Sequence, residues 1–321
     1  MNAGLHRLAV VTAAATLFLI FAGGMVTSTG SGLAVPDWPL SYGTLFPPMV
    51  GGIFYEHGHR MVAAAVGMLT VALAVWVFLR ERRRWVGWLA ATALSAVILQ
   101  GGLGGLTVLL LLPPAVSILH ACLAQAFFCL TVSLAVVTGT GWRDARPGDA
   151  KLAASSIVFV GVTFAQLILG AVMRHMKAGM AIPDFPLSFG QAIPPFTSPA
   201  IAVNFAHRAW GIVVAVVALR LAWRVFSASR GDAWTRRPAL ALAGLVPVQV
   251  MLGAITVWSA RHPLLASLHV AGGAALLGTG VLLSLRLHRR AWVSSRSRDA
   301  LGRPPMDERL PERIHGKGAP A

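Results

Sequence analysis

The chain has 321 residues, of which 56% are hydrophobic and only 12% are charged, and its mean hydropathy is +0.70. Soluble domains carry about 25% charged residues, so this composition predicts a membrane protein with several spans. The formal net charge is +16, but the basic residues lie in short runs between apolar segments. This distribution is typical of membrane topology and argues against nucleic-acid binding.

Eight apolar segments are long enough to cross a bilayer core, which takes about 20 residues. They cover residues 8–27, 61–80, 86–112, 115–138, 152–173, 201–223, 238–258 and 264–287. Helices are predicted because the segments do not alternate in polarity, as barrel strands do, and because exposed backbone must be satisfied within the membrane. The expected fold class is therefore an all-α membrane protein with eight transmembrane helices.

The positions of lysine and arginine predict the orientation. If the N-terminus is cytoplasmic, 22 of these residues fall on the cytoplasmic side and 5 on the outer side. This bias places both termini in the cytoplasm. Residues 291–321 are rich in Arg, Ser and Pro, and we expect a disordered cytoplasmic tail there.

The sequence contains an internal repeat. Residues 30–43 read GSGLAVPDWPLSYG, and residues 179–190 read GMAIPDFPLSFG. A second match joins the segment that starts at Gln100 to the segment that starts at Gln249. Each half contains four spans, so the copies share one orientation. We expect two tandem, pseudo-symmetric four-helix bundles, residues 1–140 and 151–290, with both repeated loops on the outer side.

Four of the ten histidines occupy equivalent positions in the two halves, near the outer ends of the even-numbered spans. They are His59, His120, His207 and His269. One such histidine alone is readily explained by a hydrogen bond between helices. Two symmetric pairs at one depth favour axial ligation of haem iron, and no thiolate is available to complete a zinc site. The other six histidines have no repeat-matched partner and are interpreted as surface or interfacial groups.

The two halves differ three residues before the first histidine of each pair. Glu56 precedes His59, whereas Asn204 precedes His207. A carboxylate beside a porphyrin can accept a proton, which an amide cannot do, so we expect chemistry in the first half only. A loop carboxylate at the membrane interface is the alternative interpretation. Arg60 and Arg208 follow their histidines and are candidates for binding haem propionates, or for snorkelling at the interface.

Two further residue pairs have predicted structural roles. Asp37 and Asp184, each between prolines in the repeated loops, are expected to form turns. The two cysteines, Cys122 and Cys129, lie about 10 Å apart along one helix, too far for a disulfide, and are expected to pack as small apolar groups.

These features together resemble the haem A synthase family. The resemblance rests on the duplicated eight-span layout, the GSGLAVPDWPLSYG loop, the E-x-G-H-R motif at 56–60 and the four matched histidines, and it spans residues 8–287. It implies an enzyme of the bacterial cell membrane. The implied reaction oxidises the C8 methyl group of haem o to a formyl group by successive hydroxylations with water-derived oxygen, giving haem a for cytochrome oxidase.

The resemblance also implies roles for individual residues. Glu56 matches the catalytic glutamate of the family, and His59 with His120 match the substrate-haem ligands. His207 and His269 match the ligands of haem b. The implied partners are haem O synthase, cytochrome oxidase assembly factors and a membrane electron acceptor, for which a quinone is a candidate; a homo-oligomer is also compatible.

The chain departs from the family pattern in its first loop. Many bacterial members have two cysteines that flank the P-D-W-P-L segment, and Val35 and Ser41 stand here instead. Thiol chemistry in that loop is therefore not expected. A quinol-linked electron-transfer cytochrome with two haem b groups is the alternative function, because it would use the same four histidines without Glu56. A transporter is a weaker third hypothesis.

Overall fold

The computed structural model describes residues 3–229 and 231–301, and these residues form eight long helices without a β-strand. The helices are α1 (Ala3–Ser28), α2 (Gly51–Arg80), α3 (Arg84–Leu109), α4 (Pro114–Thr138), α5 (Ala150–His175), α6 (Pro199–Ala228), α7 (Ala233–Trp258) and α8 (Pro263–Leu301). All eight are long and apolar enough to cross a membrane. The predicted all-α membrane class is confirmed, and the cytoplasmic location of the termini stays a prediction.

Two helices are longer than their apolar segments suggested. Helix α2 begins at Gly51 rather than near residue 61, because Glu56 and His57 in its first turns find hydrogen-bond partners within the protein. Helix α8 continues to Leu301, so the predicted disordered tail is wrong for residues 291–301. Just before these residues, Arg289 Nε donates to Trp142 O at 2.8 Å and Arg290 Nη2 donates to Pro147 O at 3.0 Å. These bonds tie the helix to the α4–α5 connection, and the rest of the predicted tail lies outside the described residues.

Each half closes into a ring of four helices. In the first half the neighbours are α1 with α2, α2 with α3, α3 with α4, and α4 with α1, and α5 to α8 repeat this order. The two rings meet through α1, α4, α5 and α8. Within each ring the even-numbered helices therefore face each other diagonally, which places the predicted histidine pairs on opposite sides of one bundle.

Three apolar clusters hold the helices together. One lies within the second ring around Phe159 and Leu242, and one lies within the first ring around Leu73 and Phe127. The third lies between the rings around Phe128 and Ala274. Large apolar side chains such as Trp88 and Trp223 are exposed on the outer faces of the bundles, as expected where lipid replaces water.

Candidate functional site

The repeated loops cover the same end of both rings, which we call the loop end. The first loop comprises residues 30–43 and the second comprises residues 179–190. Asp37 Oδ1 and Oδ2 accept hydrogen bonds from the N–H groups of Tyr42 and Gly43 at 2.7 and 2.8 Å, and Asp184 makes the equivalent bonds at the same distances. The predicted turn-forming role of both aspartates is confirmed. The Gly43 N–H group is the main cause that holds the pKa of Asp37 below its ordinary value.

An arginine from the next helix holds each loop. Arg60 Nη1 donates to Asp37 O and Leu40 O at 2.7 and 2.8 Å, and its Nη2 donates to Val35 O at 3.2 Å. Arg208 Nη1 donates to Asp184 O at 2.6 Å in the same way. The peptide dipoles of the loops thus converge on a guanidinium group. Propionate binding by these arginines stays a prediction; the donor left over is Nε–H in Arg60, and Nε–H with one Nη2–H in Arg208.

Glu56 and Asn204 lie beneath these arginines but make different contacts. Glu56 is 3% exposed; its Oε2 accepts from Val35 N at 2.8 Å and its Oε1 accepts from Arg60 Nη2 at 2.6 Å. Asn204 Nδ2 donates to Ala178 O at 2.9 Å, while its Oδ1 is buried without a partner. The first half therefore contains a buried ion pair at this position, and the second half contains an arginine without a carboxylate.

His57 is buried, which corrects its interpretation as a surface group. Its Nδ1 lies 2.8 Å from the hydroxyl group of Ser41, so it fastens the first loop to α2. Val35 and Ser41, which stand where many family members have cysteines, are both buried and both contact the first turns of α2. The loop is therefore joined to the helix by hydrogen bonds at these two positions.

Of the remaining unmatched histidines that the structure describes, His175 lies close enough to the matched His120 for their charges to interact. His6 contacts Thr138 and His288 contacts the Ser284 carbonyl of its own helix. His175 is half-buried and His262 is exposed at the loop end. His315 lies outside the described residues. The two cysteines are free, as predicted.

The four matched histidines project from α2, α4, α6 and α8. The ring centroids of His207 and His269 are 6.4 Å apart. Two imidazoles on opposite sides of one metal ion, with bonds of about 2 Å each, have centroids about 6 Å apart. His59 and His120 lie close enough for their charges to interact. The structure thus brings together both predicted pairs.

Each histidine ring packs against a glycine of the preceding odd-numbered helix. A Cβ atom on Gly23 would lie 3.0 Å from Cε1 of His59, and the other three contacts are equivalent. Gly104 faces His120 at 3.2 Å, Gly170 faces His207 at 3.0 Å and Gly253 faces His269 at 3.1 Å. A side chain at any of these glycines would press on the ring. The odd-numbered helices thus leave room for the imidazoles that project from the even-numbered helices of each bundle.

Three of these glycines are preceded, four residues earlier, by a glutamine that we did not single out from the sequence. Gln100, Gln166 and Gln249 donate from Nε2 to the backbone carbonyl of the facing histidine at 3.1, 2.9 and 2.8 Å. The pattern Q-x-x-x-G, which lies opposite His120, His207 and His269, could have revealed them. In α1 the position four before Gly23 is Leu19, so His59 alone lacks this contact.

The polar atoms around the histidines suit a bound macrocycle. The Nδ1 atoms of all four histidines and the Oε1 atoms of all three glutamines are buried without a hydrogen-bond partner. In the part of the chain that the structure describes, no group of three or more His, Cys, Asp or Glu could hold a metal ion. Two imidazoles alone leave most of a coordination sphere open, and a porphyrin fills it with its own nitrogens. The residues therefore fit haem.

The first loop also packs on α3, the helix that faces His120. A Cβ atom on Gly105 would lie 2.7 Å from Cδ2 of Trp38, so the indole lies directly on α3 next to the glycine that faces His120. In the second loop Phe185 packs against Trp258, with ring centroids 6.2 Å apart. Both loops therefore close the loop end of their bundle with an aromatic side chain.

Comparison with known proteins agrees with this geometry. The model of the COX15-CtaA family, described as cytochrome oxidase assembly protein, matches residues 6–52 and 49–281. The Heme A synthase of Symbiobacterium thermophilum is 34% identical over 261 residues, which cover 78% of this chain and 85% of that protein. The Heme A synthase of Shouchella clausii is 32% identical, over 72% of this chain and 80% of that protein. With most of both bundles matched, the chain belongs to the COX15-CtaA family of cytochrome oxidase assembly proteins.

Proposed function

We propose that this chain is a haem A synthase, an enzyme that converts the C8 methyl group of haem o to the formyl group of haem a. The single observation that carries the proposal is a buried carboxylate, Glu56, one turn from His59 of the first pair, in a chain whose relatives are named Heme A synthase. With oxygen derived from water, the conversion of methyl to formyl releases four protons and four electrons. The site therefore needs a proton acceptor and an electron outlet.

The first bundle supplies the substrate site. His59 and His120 hold the iron of haem o, and Trp38 of the first loop packs on α3 beside the glycine that faces His120. Glu56 is the proton acceptor, because it is the one carboxylate of the described residues placed within a turn of a matched histidine. Its bonds to Val35 N and Arg60 fix both carboxylate oxygens.

The second bundle supplies the electron outlet. His207 and His269 hold haem b, which carries electrons singly when it is bound. Asn204 replaces the carboxylate there, so this bundle has no proton acceptor at the equivalent position. Gln166 and Gln249 fix the backbone of both ligands, as a permanently held group requires.

The eight spans place the enzyme in a membrane, and the bacterial relatives suggest the cell membrane. We propose that the loop end faces the outside, because most lysines and arginines lie at the opposite end. A quinone is the proposed electron acceptor, and haem O synthase and oxidase assembly factors are the proposed protein partners.

The experiment that tests the proposal substitutes Glu56→Gln in the full chain. The amide keeps an oxygen for Val35 N–H but cannot take a proton. We expect haem a formation to fall at least about 100-fold, the usual contribution of a positioned base, with haem o still bound. Haems are extracted and identified by chromatography and mass, and Asn204→Ala is the matched control in the second bundle.

Normal haem a content in Glu56→Gln would refute the role of Glu56. His207→Ala and His269→Ala should remove haem b, while His59→Ala should remove haem o and leave haem b in place. If the wild-type protein instead yields two haem b groups and neither haem o nor haem a, the electron-transfer cytochrome is the better description.

A further inference from the structure

The loop end of the second bundle contains an arginine without an acidic partner. Arg174, in the last turn of α5, is half-buried, and its Nη2 donates to Gly24 O at 2.7 Å and to Ser28 Oγ at 2.6 Å. Ser28 Oγ lies 3.0 Å from Ser267 Oγ, two residues before the haem ligand His269. Arg174 also lies one helical turn beyond Gly170, which faces His207. It therefore lies within about one helical turn of residues that adjoin both histidines of the second pair.

A second arginine approaches from the turn between α7 and α8. Arg261 has a φ of 66°, and its Cδ lies 3.4 Å from the position of a Cβ atom on Gly179. It is close enough to Arg174 for the two charges to interact, and the charge of Arg174 also reaches His269. None of the ion pairs found among residues 3–229 and 231–301 includes either arginine.

The first bundle shows that the architecture does not need these charges. The residue that matches Arg261 is Leu112, with a φ of 61°, and its N–H group bonds Thr107 O at 2.7 Å just as Arg261 N–H bonds Thr256 O at 2.8 Å. The residue that matches Arg174 is Thr27, which bonds only the Gly23 carbonyl of its own helix. The same helix ends and turns thus form with neutral residues.

Two neighbouring cations without a carboxylate repel each other, and the repulsion is stronger where water is partly excluded. Two such arginines close to the buried pair His207 and His269 indicate that an anion from outside the protein binds there. Planar guanidinium groups bind carboxylates through paired hydrogen bonds. A haem held between His207 and His269 brings two propionate carboxylates, which cannot be buried in the apolar centre of the bundle and must turn toward a polar end.

Given the proposed haem site, on which this inference rests, we propose that Arg174 and Arg261 form a carboxylate-binding site for the propionates of the haem in the second bundle. The first bundle lacks this site, since Thr27 and Leu112 are neutral. The arginine pair therefore retains the haem of the second bundle, whereas the haem of the first bundle is left free to exchange as substrate and product.

The test uses the full chain purified in detergent with its haem. In Arg174→Gln the amide can still donate to Gly24 O and Ser28, and in Arg261→Leu the residue of the first bundle occupies the same turn. We expect each variant to lose haem b to excess apomyoglobin about tenfold faster than wild type, which is the effect of removing one charge-assisted hydrogen bond. The midpoint potential of the haem should fall as well, because cations near the iron favour its reduced state.

Lys177→Gly is the matched control, since it removes an exposed charge at the same end and restores the residue, Gly30, of the first bundle. Arg174→Lys should release haem more slowly than Arg174→Gln. Unchanged transfer rates and potentials in Arg174→Gln and Arg261→Leu would overturn the inference. It would also be overturned if these variants lost a co-purified phospholipid while their haem transfer rates and potentials stayed unchanged. If His207→Ala also leaves the haem content unchanged, the proposed haem site itself fails; if it removes the haem, only the arginine assignment fails.

Discussion

The two halves of the chain share one architecture and differ in a few polar side chains. Both place a histidine pair across a four-helix ring, and both hold a proline-rich loop over it with an arginine. The first half adds a buried carboxylate, Glu56, and has Leu19 where a glutamine would contact His59. The second half has Asn204, a full set of glutamines and two extra arginines.

This difference separates what is needed to hold a haem from what is needed to act on one. Extra polar contacts to the ligands and to the carboxylates of a haem would lengthen its residence, and on the proposed assignments the second half supplies them. A proton acceptor and a less constrained ligand suit a haem that must react and leave, and on the proposed assignments Glu56 and His59 of the first half fill these roles. Gene duplication followed by such substitutions would give one enzyme with a resident haem and an exchangeable one.

The largest expected difference concerns the arginines that hold the loops. Arg60→Leu and Arg208→Leu both deprive loop carbonyls of their donor, but only Arg60→Leu leaves a buried carboxylate unpaired. Removing one partner of a buried ion pair costs about 3–5 kcal/mol. We therefore expect Arg60→Leu to lower the thermal unfolding midpoint in detergent clearly more than Arg208→Leu does.

The double variant Arg60→Leu/Glu56→Gln separates this cause from general damage to the loop. Because the amide carries no charge, the double variant should recover to about the stability of Arg208→Leu. Equal unfolding midpoints for the two single variants would show that the Glu56–Arg60 pair adds nothing to the first half.

A smaller difference is expected at the glutamines. Gln249→Leu removes a hydrogen bond of about 1 kcal/mol to the His269 carbonyl, so the haem of the second bundle should dissociate several-fold faster. Leu19→Gln should have the opposite effect on the first bundle, where it supplies the missing contact to His59. Haem transfer to apomyoglobin measures both rates. If Leu19→Gln leaves release from the first bundle unchanged, the missing glutamine does not contribute to exchange.

The spans and the histidine pairs were accessible from the sequence because each depends on a simple regularity. The lengths of the apolar segments predicted the eight helices. The internal repeat distinguished four of the ten histidines, because they occupy equivalent positions in the two halves; they are His59, His120, His207 and His269. The start of α2 was missed because hydropathy does not register polar residues that are satisfied inside the protein. The extent of α8 was missed because an arginine-rich segment can be ordered by carbonyl acceptors on another connection.

Other features required three-dimensional contacts. His57 has no counterpart in the repeat, so only the structure could show its bond to Ser41. Gln166 shares the short pattern Q-x-x-x-G with Gln100 and Gln249, but only the structure shows that all three donate to the carbonyl of the facing histidine. The partners of Arg60 were beyond sequence reasoning, because a guanidinium group binds peptide carbonyls and propionates equally well.

The smallest effect is expected at the two loop aspartates, where the halves should behave alike. Backbone N–H groups, chiefly those of Gly43 and Gly190, hold the pKa values of Asp37 and Asp184 below their ordinary value of 3.8. A carboxyl whose pKa is lowered by folding contributes stability above its unfolded pKa and loses it as the pH falls through the folded pKa. Both loops should therefore be insensitive to pH between about 5 and 8 and should weaken only below about 4. Asp37→Asn and Asp184→Asn should each lower the unfolding midpoint slightly and by the same amount, and each should reduce the acid sensitivity. A larger effect of Asp37→Asn would mean that the first loop depends on its turn more than the second does, and that the halves diverge in their loops as well as in their ligand contacts.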